Sequence, residues 1–207
     1  MIVIIDTGTA NVASIQNMLH RCGVKSVLAK KPEDAYSASK LILPGVGSFD
    51  NAMTVLTENR WIEFIQNFVI DERKPILGIC LGMQLLTRGS EEGIIPGLNL
   101  INADTRRFDE KKMVSSHLIP HMGWNLVSKQ KDMGLFDTDD KEERFYFVHS
   151  YHVICDNDED VLTTTNHGYE FVSSFKKGNI TGVQFHPEKS HKFGFNFFKK
   201  FLAEDFQ

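Results

Sequence analysis

The run Gly78-Ile79-Cys80-Leu81-Gly82-Met83-Gln84-Leu85-Leu86 constrains this chain more than any other stretch. Pro75 opens a short apolar segment over residues 76–79 that suits a buried strand, and the apolar residues after Cys80 continue as a helix. A cysteine between two glycines at a strand-to-helix junction is the thiol form of the nucleophile elbow. Lacking Cβ atoms, the glycines let strand and helix pack closely around a sharp, strained turn. Such a turn lifts the Cys80 side chain above the C-terminal edge of the sheet. It also sets the thiol at a helix N-terminus, where the dipole and free N–H groups favour thiolate, and turns the Leu81 N–H toward an oxyanion on an attacked carbonyl. The competing reading is a small buried hydrophobe, the usual fate of a free cysteine. Other residues must separate the two.

The first half of the chain offers a parallel sheet for that elbow. Apolar runs at 2–5, 27–29, 40–43 and 76–79 read as strands. Between them, Val12, Ile15, Met18, Leu19 and Cys22 recur at helical spacing and stop at Gly23, and residues 61–69 carry a second helix face. Residues 94–175 change to short alternating segments with Gly and Asp/Asn turns, including a strongly strand-like run over 145–153 and an acidic loop at 137–143 that reads as a solvated turn. The βα pattern returns with a strand over 180–185 and a helix whose stripe of Phe193, Phe197, Phe201 and Leu202 is core packing. The expectation is an α/β fold: an open, mostly parallel sheet with helices on both faces and an inserted mixed β region, in one domain over residues 1–207.

Charge and cysteine usage narrow the class of function. A net charge of −4 with no long basic run gives no reason to expect nucleic acid as a partner. No segment reaches the roughly 20 apolar residues of a membrane span. Residues 1–5 lack a charged leader and stop at Asp6, so they read as a first strand, not a signal peptide. Cys22, Cys80 and Cys155 are odd in number and widely spaced, which argues against a disulfide framework and for the reducing cytoplasm that suits a working thiol.

Partners for Cys80 come from Gly182-Val183-Gln184-Phe185-His186-Pro187-Glu188. In extended backbone, residues two apart face the same way, so His186 and Glu188 supply a base or acid and a carboxylate to orient it. Both this segment and the elbow lie at C-terminal strand ends of a parallel sheet, where open α/β folds place their sites. A Cys–His–Glu arrangement repeats the nucleophile, base and orienter of serine hydrolases. The loop Leu43-Pro44-Gly45-Val46-Gly47-Ser48-Phe49 also leaves a strand, and its N–H groups could complete an oxyanion hole with Leu81; alone it reads equally as a tight turn. His149, His152 and Cys155 recur every three residues, but a strand would send them to opposite faces, so no metal is expected there.

With these residues in view, the chain resembles the class I (triad-type) glutamine amidotransferases, and among them the glutaminase subunits of imidazole glycerol phosphate synthase. The class-level likeness rests on Pro44-Gly45-Val46-Gly47, on the elbow and on the His186 segment. The narrower one rests on Ile119-Pro120-His121-Met122-Gly123-Trp124-Asn125, on Phe145-Tyr146-Phe147-Val148-His149-Ser150-Tyr151, and on Lys189-Ser190. The resemblance implies a flavodoxin-like fold and no cofactor. It also implies that Cys80 attacks the carboxamide of L-glutamine to form a glutamyl thioester, with His186 moving the protons and Glu188 holding His186. Leu81 and Val46 or Gly47 would hold the oxyanion, and Gln84, Glu92, Ser150 and Tyr151 would bind glutamine. A carboxylate at Glu92 suits the substrate's α-ammonium, although a solvated surface residue is its alternative. Ammonia would pass to a separate (β/α)8-barrel cyclase subunit in histidine biosynthesis, docked near Asn11, His121, Trp124 and Lys189; core burial is the alternative for Trp124. Two stretches match nothing diagnostic, the loop around Thr9 and residues 104–117. Still open are a glutaminase serving another synthase, such as a sugar-aminating one, a stand-alone γ-glutamyl cysteine hydrolase, and a non-catalytic scaffold.

Overall fold

The computed structural model describes residues 1–8, 11–113, 118–136 and 142–204. The chain runs through β1 (Ile2–Ile5), α1 (Val12–Arg21), β2 (Ser26–Ala29), β3 (Lys40–Gly45), α2 (Phe49–Glu58), α3 (Trp61–Gln66), β4 (Ile76–Cys80) and α4 (Leu81–Leu85). It continues through β5 (Ala103–Arg107), β6 (His121–Lys129), β7 (Glu143–His149), β8 (Tyr151–Cys155), β9 (Val161–His167), β10 (Tyr169–Lys177), β11 (Ile180–Val183) and α5 (His191–Ala203). The apolar runs of the first half are strands, as their patterning predicts. Helix α2 is an addition: Phe49, Ala52, Met53 and Leu56 are its buried residues, at helical spacing.

Strands β2-β1-β3-β4-β11 form a parallel block. Alternate residues of its strands feed two cores. Val3, Ile5, Leu41, Leu43 and Ile76 pack with α2, α3 and α4, while Ile2, Ile4, Ile42, Leu77 and Ile79 pack with α1 and α5. Both faces are covered, which is why these strands read as continuous apolar runs. The inserted β region is joined to the block, since β10 pairs antiparallel with β11 and leads on through β9 and β6 to β7. Strand β8 pairs with β10 and β5.

Two expectations change here. The run over 145–153 is two strands, broken at Ser150, because the chain leaves its ladder with β6 and takes up a new one with β5. Glu143, counted with a solvated acidic turn, is buried at the start of β7. Thr9, residues 114–117 of the undiagnostic stretch and residues 137–141 of the acidic loop lie outside the described residues. Among the described residues no helix is long and apolar enough to cross a membrane.

Candidate active site

The register pairs Gly45 with Cys80 and Val183 with Ile79, so the C-terminal ends of β3, β4 and β11 lie side by side. Cys80 sits where β4 turns into α4, with φ 56° and ψ −112°. A side chain other than glycine in positive-φ backbone is strained, and such strain gathers at functional sites. The neighbours hold it there. A Cβ on Gly82 would lie 1.7 Å from the Leu43 carbonyl oxygen, and one on Gly78 would lie 2.6 Å from the Gly82 carbonyl oxygen. Only bare glycines permit that approach. The helix that follows is only five residues long. Its dipole is correspondingly small, so charged and hydrogen-bonding neighbours dominate the environment of the sulfur.

His186 Nδ1 lies 2.7 Å from Glu188 Oε1, and both side chains are 3% exposed. Their pairing does not come from strand alternation, because a 3-10 turn over Pro187–Lys189 carries the carboxylate back to the ring. That turn is tied to β7: His186 N donates to Tyr146 O at 2.8 Å. Ser190 Oγ donates to His186 O at 2.6 Å and accepts from Tyr146 N at 3.0 Å. Burial favours the neutral ring, but the interactions with Cys80 and with the Glu188 carboxylate outweigh it and raise the His186 pKa to about 10. His186 Nε2 and Glu188 Oε2 are buried without hydrogen-bond partners among the described residues.

One cavity of about 270 Å3 is lined by Cys80, Val46, Gly47, Leu81, Gln84, Glu92, Val148, His149, Ser150 and Tyr151. Every residue expected to bind substrate therefore meets the nucleophile candidate in a single space. Gly47 turns the loop after β3 with φ 98°. The carboxylate of Glu92 accepts Phe49 N at 2.8 Å, so it both reaches the cavity and caps the start of α2. Asp50 fixes the same loop by accepting the N–H groups of Ile94 and Ile95. The amide of Gln84 donates to Tyr151 O at 3.2 Å and to Gln184 Oε1 at 3.0 Å. Both its N–H bonds are thus engaged, and its oxygen is the part left to accept from a substrate.

The sequence reading missed His149, Val148, Asp50 and Gln184 as site residues, although all but Asp50 stand in motifs it quoted. His149 and His152 do not diverge as strand alternation would have them. The break at Ser150 lets His149 and His152 lie against the same Phe108 ring, at 5.3 and 4.8 Å. Among the described residues no group of three His, Cys, Asp or Glu side chains is placed to hold a metal. Burial and neighbouring His121 hold His149 well below its ordinary pKa. As a neutral ring it donates from Nδ1 to Tyr151 O at 2.7 Å and accepts at Nε2 from His121 Nδ1 at 3.0 Å.

His121, expected at a partner surface, is instead 3% exposed and stacked on Phe147 and His167. Its motif neighbours behave differently. Met122, Trp124 and Leu126 alternate along β6 and are 64%, 47% and 39% exposed. Trp124 stacks flat on His191 at 5.5 Å and meets Tyr146 edge-on, and Lys189 Nζ lies 5.7 Å from the Tyr146 ring centre. Asn11 and Lys189 also line a small cavity of about 20 Å3 that touches His186 and Glu188.

Residues 3–204 match the family model of the class I glutamine amidotransferases. The imidazole glycerol phosphate synthase subunit HisH 2 of Methanococcus maripaludis is 50% identical over 99% of this chain and 100% of its own length. The chain belongs to the class I glutamine amidotransferases, with the HisH subunits. The HisH 2 of Pseudomonas aeruginosa is 44% identical over 98% of both chains. Crystal structures of more distant amidotransferases share the fold: one superposes with a TM-score of 0.75 at 16% identity over 96% of each chain. Another, from Thermotoga maritima, has a TM-score of 0.64 at 18% identity and covers 90% of this chain and 75% of its own.

Proposed function

We propose that this amidotransferase is the glutaminase subunit of an imidazole glycerol phosphate synthase. It hydrolyses L-glutamine to glutamate and ammonia and hands the ammonia to a cyclase subunit in histidine biosynthesis. The observation that carries this reading is the meeting of the strained Cys80, the buried His186–Glu188 pair and the Gln84–Glu92–Tyr151 cavity at neighbouring strand ends.

In this mechanism the Cys80 sulfur attacks the carboxamide carbon, and the carbonyl oxygen becomes an oxyanion held by the N–H groups of Leu81 and of Val46 or Gly47. Collapse breaks the C–N bond as His186 gives its proton to the departing nitrogen, leaving a glutamyl thioester and ammonia. The neutral imidazole then takes a proton from a water that attacks the thioester, and glutamate leaves with thiolate and imidazolium restored. Glu188 keeps the ring in one orientation throughout. Glu92 receives the α-ammonium and Gln84 Oε1 accepts an N–H of the substrate. Ser150 and Tyr151 line the rest.

Ammonia released into water would be protonated and lost, so the reading includes a docked (β/α)8-barrel acceptor. The exposed Trp124, with Asn11 and Lys189 beside the triad, suits that contact, and His121 is left out of it. A cytoplasmic location accords with a working thiol. A glutamine-mimicking diazoketone tests the site. It should alkylate Cys80 alone, with protection by glutamine and no label on Cys22 or Cys155 by peptide mass spectrometry; labelling elsewhere, or no protection, would refute it.

A further inference from the structure

We propose that Gln184 holds the Cys80 thiolate, as the last link of a hydrogen-bond relay that starts at the Tyr151 carbonyl. The inference rests on Cys80 being the nucleophile. Gln184 is fully buried, one residue beyond β11, beside the elbow because Val183 pairs with Ile79. Its Nε2 lies 3.8 Å from Cys80 Sγ, long for a nitrogen or oxygen acceptor but within reach of the larger sulfur. Its Oε1 accepts from Gln84 Nε2 at 3.0 Å.

The direction of this relay is fixed by chemistry. A peptide carbonyl can only accept, so Gln84 must turn its NH2 group toward Tyr151 O. The second N–H of that group then faces Gln184, which must answer with its oxygen. What remains for the sulfur is the NH2 group of Gln184, a donor. A buried anion needs such a donor, and a hydrogen bond to a charged group is among the stronger kinds. On another side the sulfur meets the Val148 carbonyl oxygen at 3.8 Å, a contact that suits S–H and opposes S⁻. The two contacts divide the protonation states: the thiol turns to Val148, and the thiolate is received by Gln184. The other ionisable groups around the sulfur are His186 and Glu188 after β11, His149 on β7 and Glu92 across the cavity.

The test is the rate of Cys80 carboxamidomethylation by iodoacetamide as a function of pH, read peptide by peptide with Cys80→Ser as blank. In Gln184→Met, which removes the donor at similar volume, the midpoint should rise by about one pH unit. Below the midpoint alkylation should be about tenfold slower, while the alkaline plateau stays at the wild-type level. Gln184→Glu should move the midpoint further, since its carboxylate repels the thiolate. A midpoint that does not move, with or without a lower plateau, would overturn the proposal. Should neither variant fold, Gln84→Met breaks the relay one link earlier and should shift the midpoint the same way by less; no shift would overturn the relay. Alkylation at Cys22 or Cys155 in place of Cys80 would instead sink the nucleophile assignment.

Discussion

Burial and the carboxylates of Asp160, Asp156 and Asp158 push the Cys155 thiol up to about 12, and burial outweighs Arg21 and Lys199 to raise Cys22. Neither is ionised at neutral pH. Cys80 differs in lying beside an imidazole that keeps its proton up to about 10. Cys80→Ala should therefore lower glutamine hydrolysis by on the order of 10⁴-fold or more, with an unchanged circular dichroism spectrum. The sign of the His186 shift sets a pH dependence. Its folded pKa exceeds the ordinary 6.5, so the stability it contributes is complete below about 6.5 and is lost as pH rises through about 10. The proton needed by departing ammonia is lost over the same alkaline range. Single-turnover ammonia release should fall as pH approaches about 10, and His186→Asn should be slow at every pH without that limb.

Elements position these residues through contacts that a single chain of letters displays unevenly. Glycines of the elbow were legible because their spacing at a strand-to-helix junction has one physical use. Gly82→Ala should cost at least about 3 kcal/mol in urea denaturation, because its Cβ has no space against β3. The 186–190 turn was half legible. Its His–Glu pair was visible, but its anchoring to β7 through Ser190 and Tyr146 joins residues 44 apart. Likewise, Glu92 was visible as a carboxylate, whereas Asp50 fastening its loop was not, since nothing local links positions 50 and 95. Glu92→Gln should raise KM for glutamine by roughly tenfold with a smaller effect on kcat, because it weakens binding of a group remote from the bond broken. Equal losses in both would place Glu92 in the chemistry instead.

For the whole molecule, the parallel block and its two helical layers follow from uninterrupted apolar strands, and their order puts β3, β4 and β11 together. The inserted β region was legible only in kind. Where β7 gives way to β8 depends on which neighbour the chain pairs with, and that exchange at Ser150 builds one wall of the cavity. The same region presents Trp124 on an exposed apolar row of β6 while burying His121. Trp124→Ala should weaken association with the cyclase, seen by calorimetry, without slowing alkylation of Cys80; an unchanged affinity would remove Trp124 from the contact.

The most direct measurement is glutamate formation from glutamine by the purified chain, alone and then with the cyclase subunit and its nucleotide ligand. A partner-gated glutaminase should show low activity alone and a steep rise with both, abolished by Cys80→Ala. High activity alone, indifferent to the cyclase, would contradict it and describe a free-standing hydrolase.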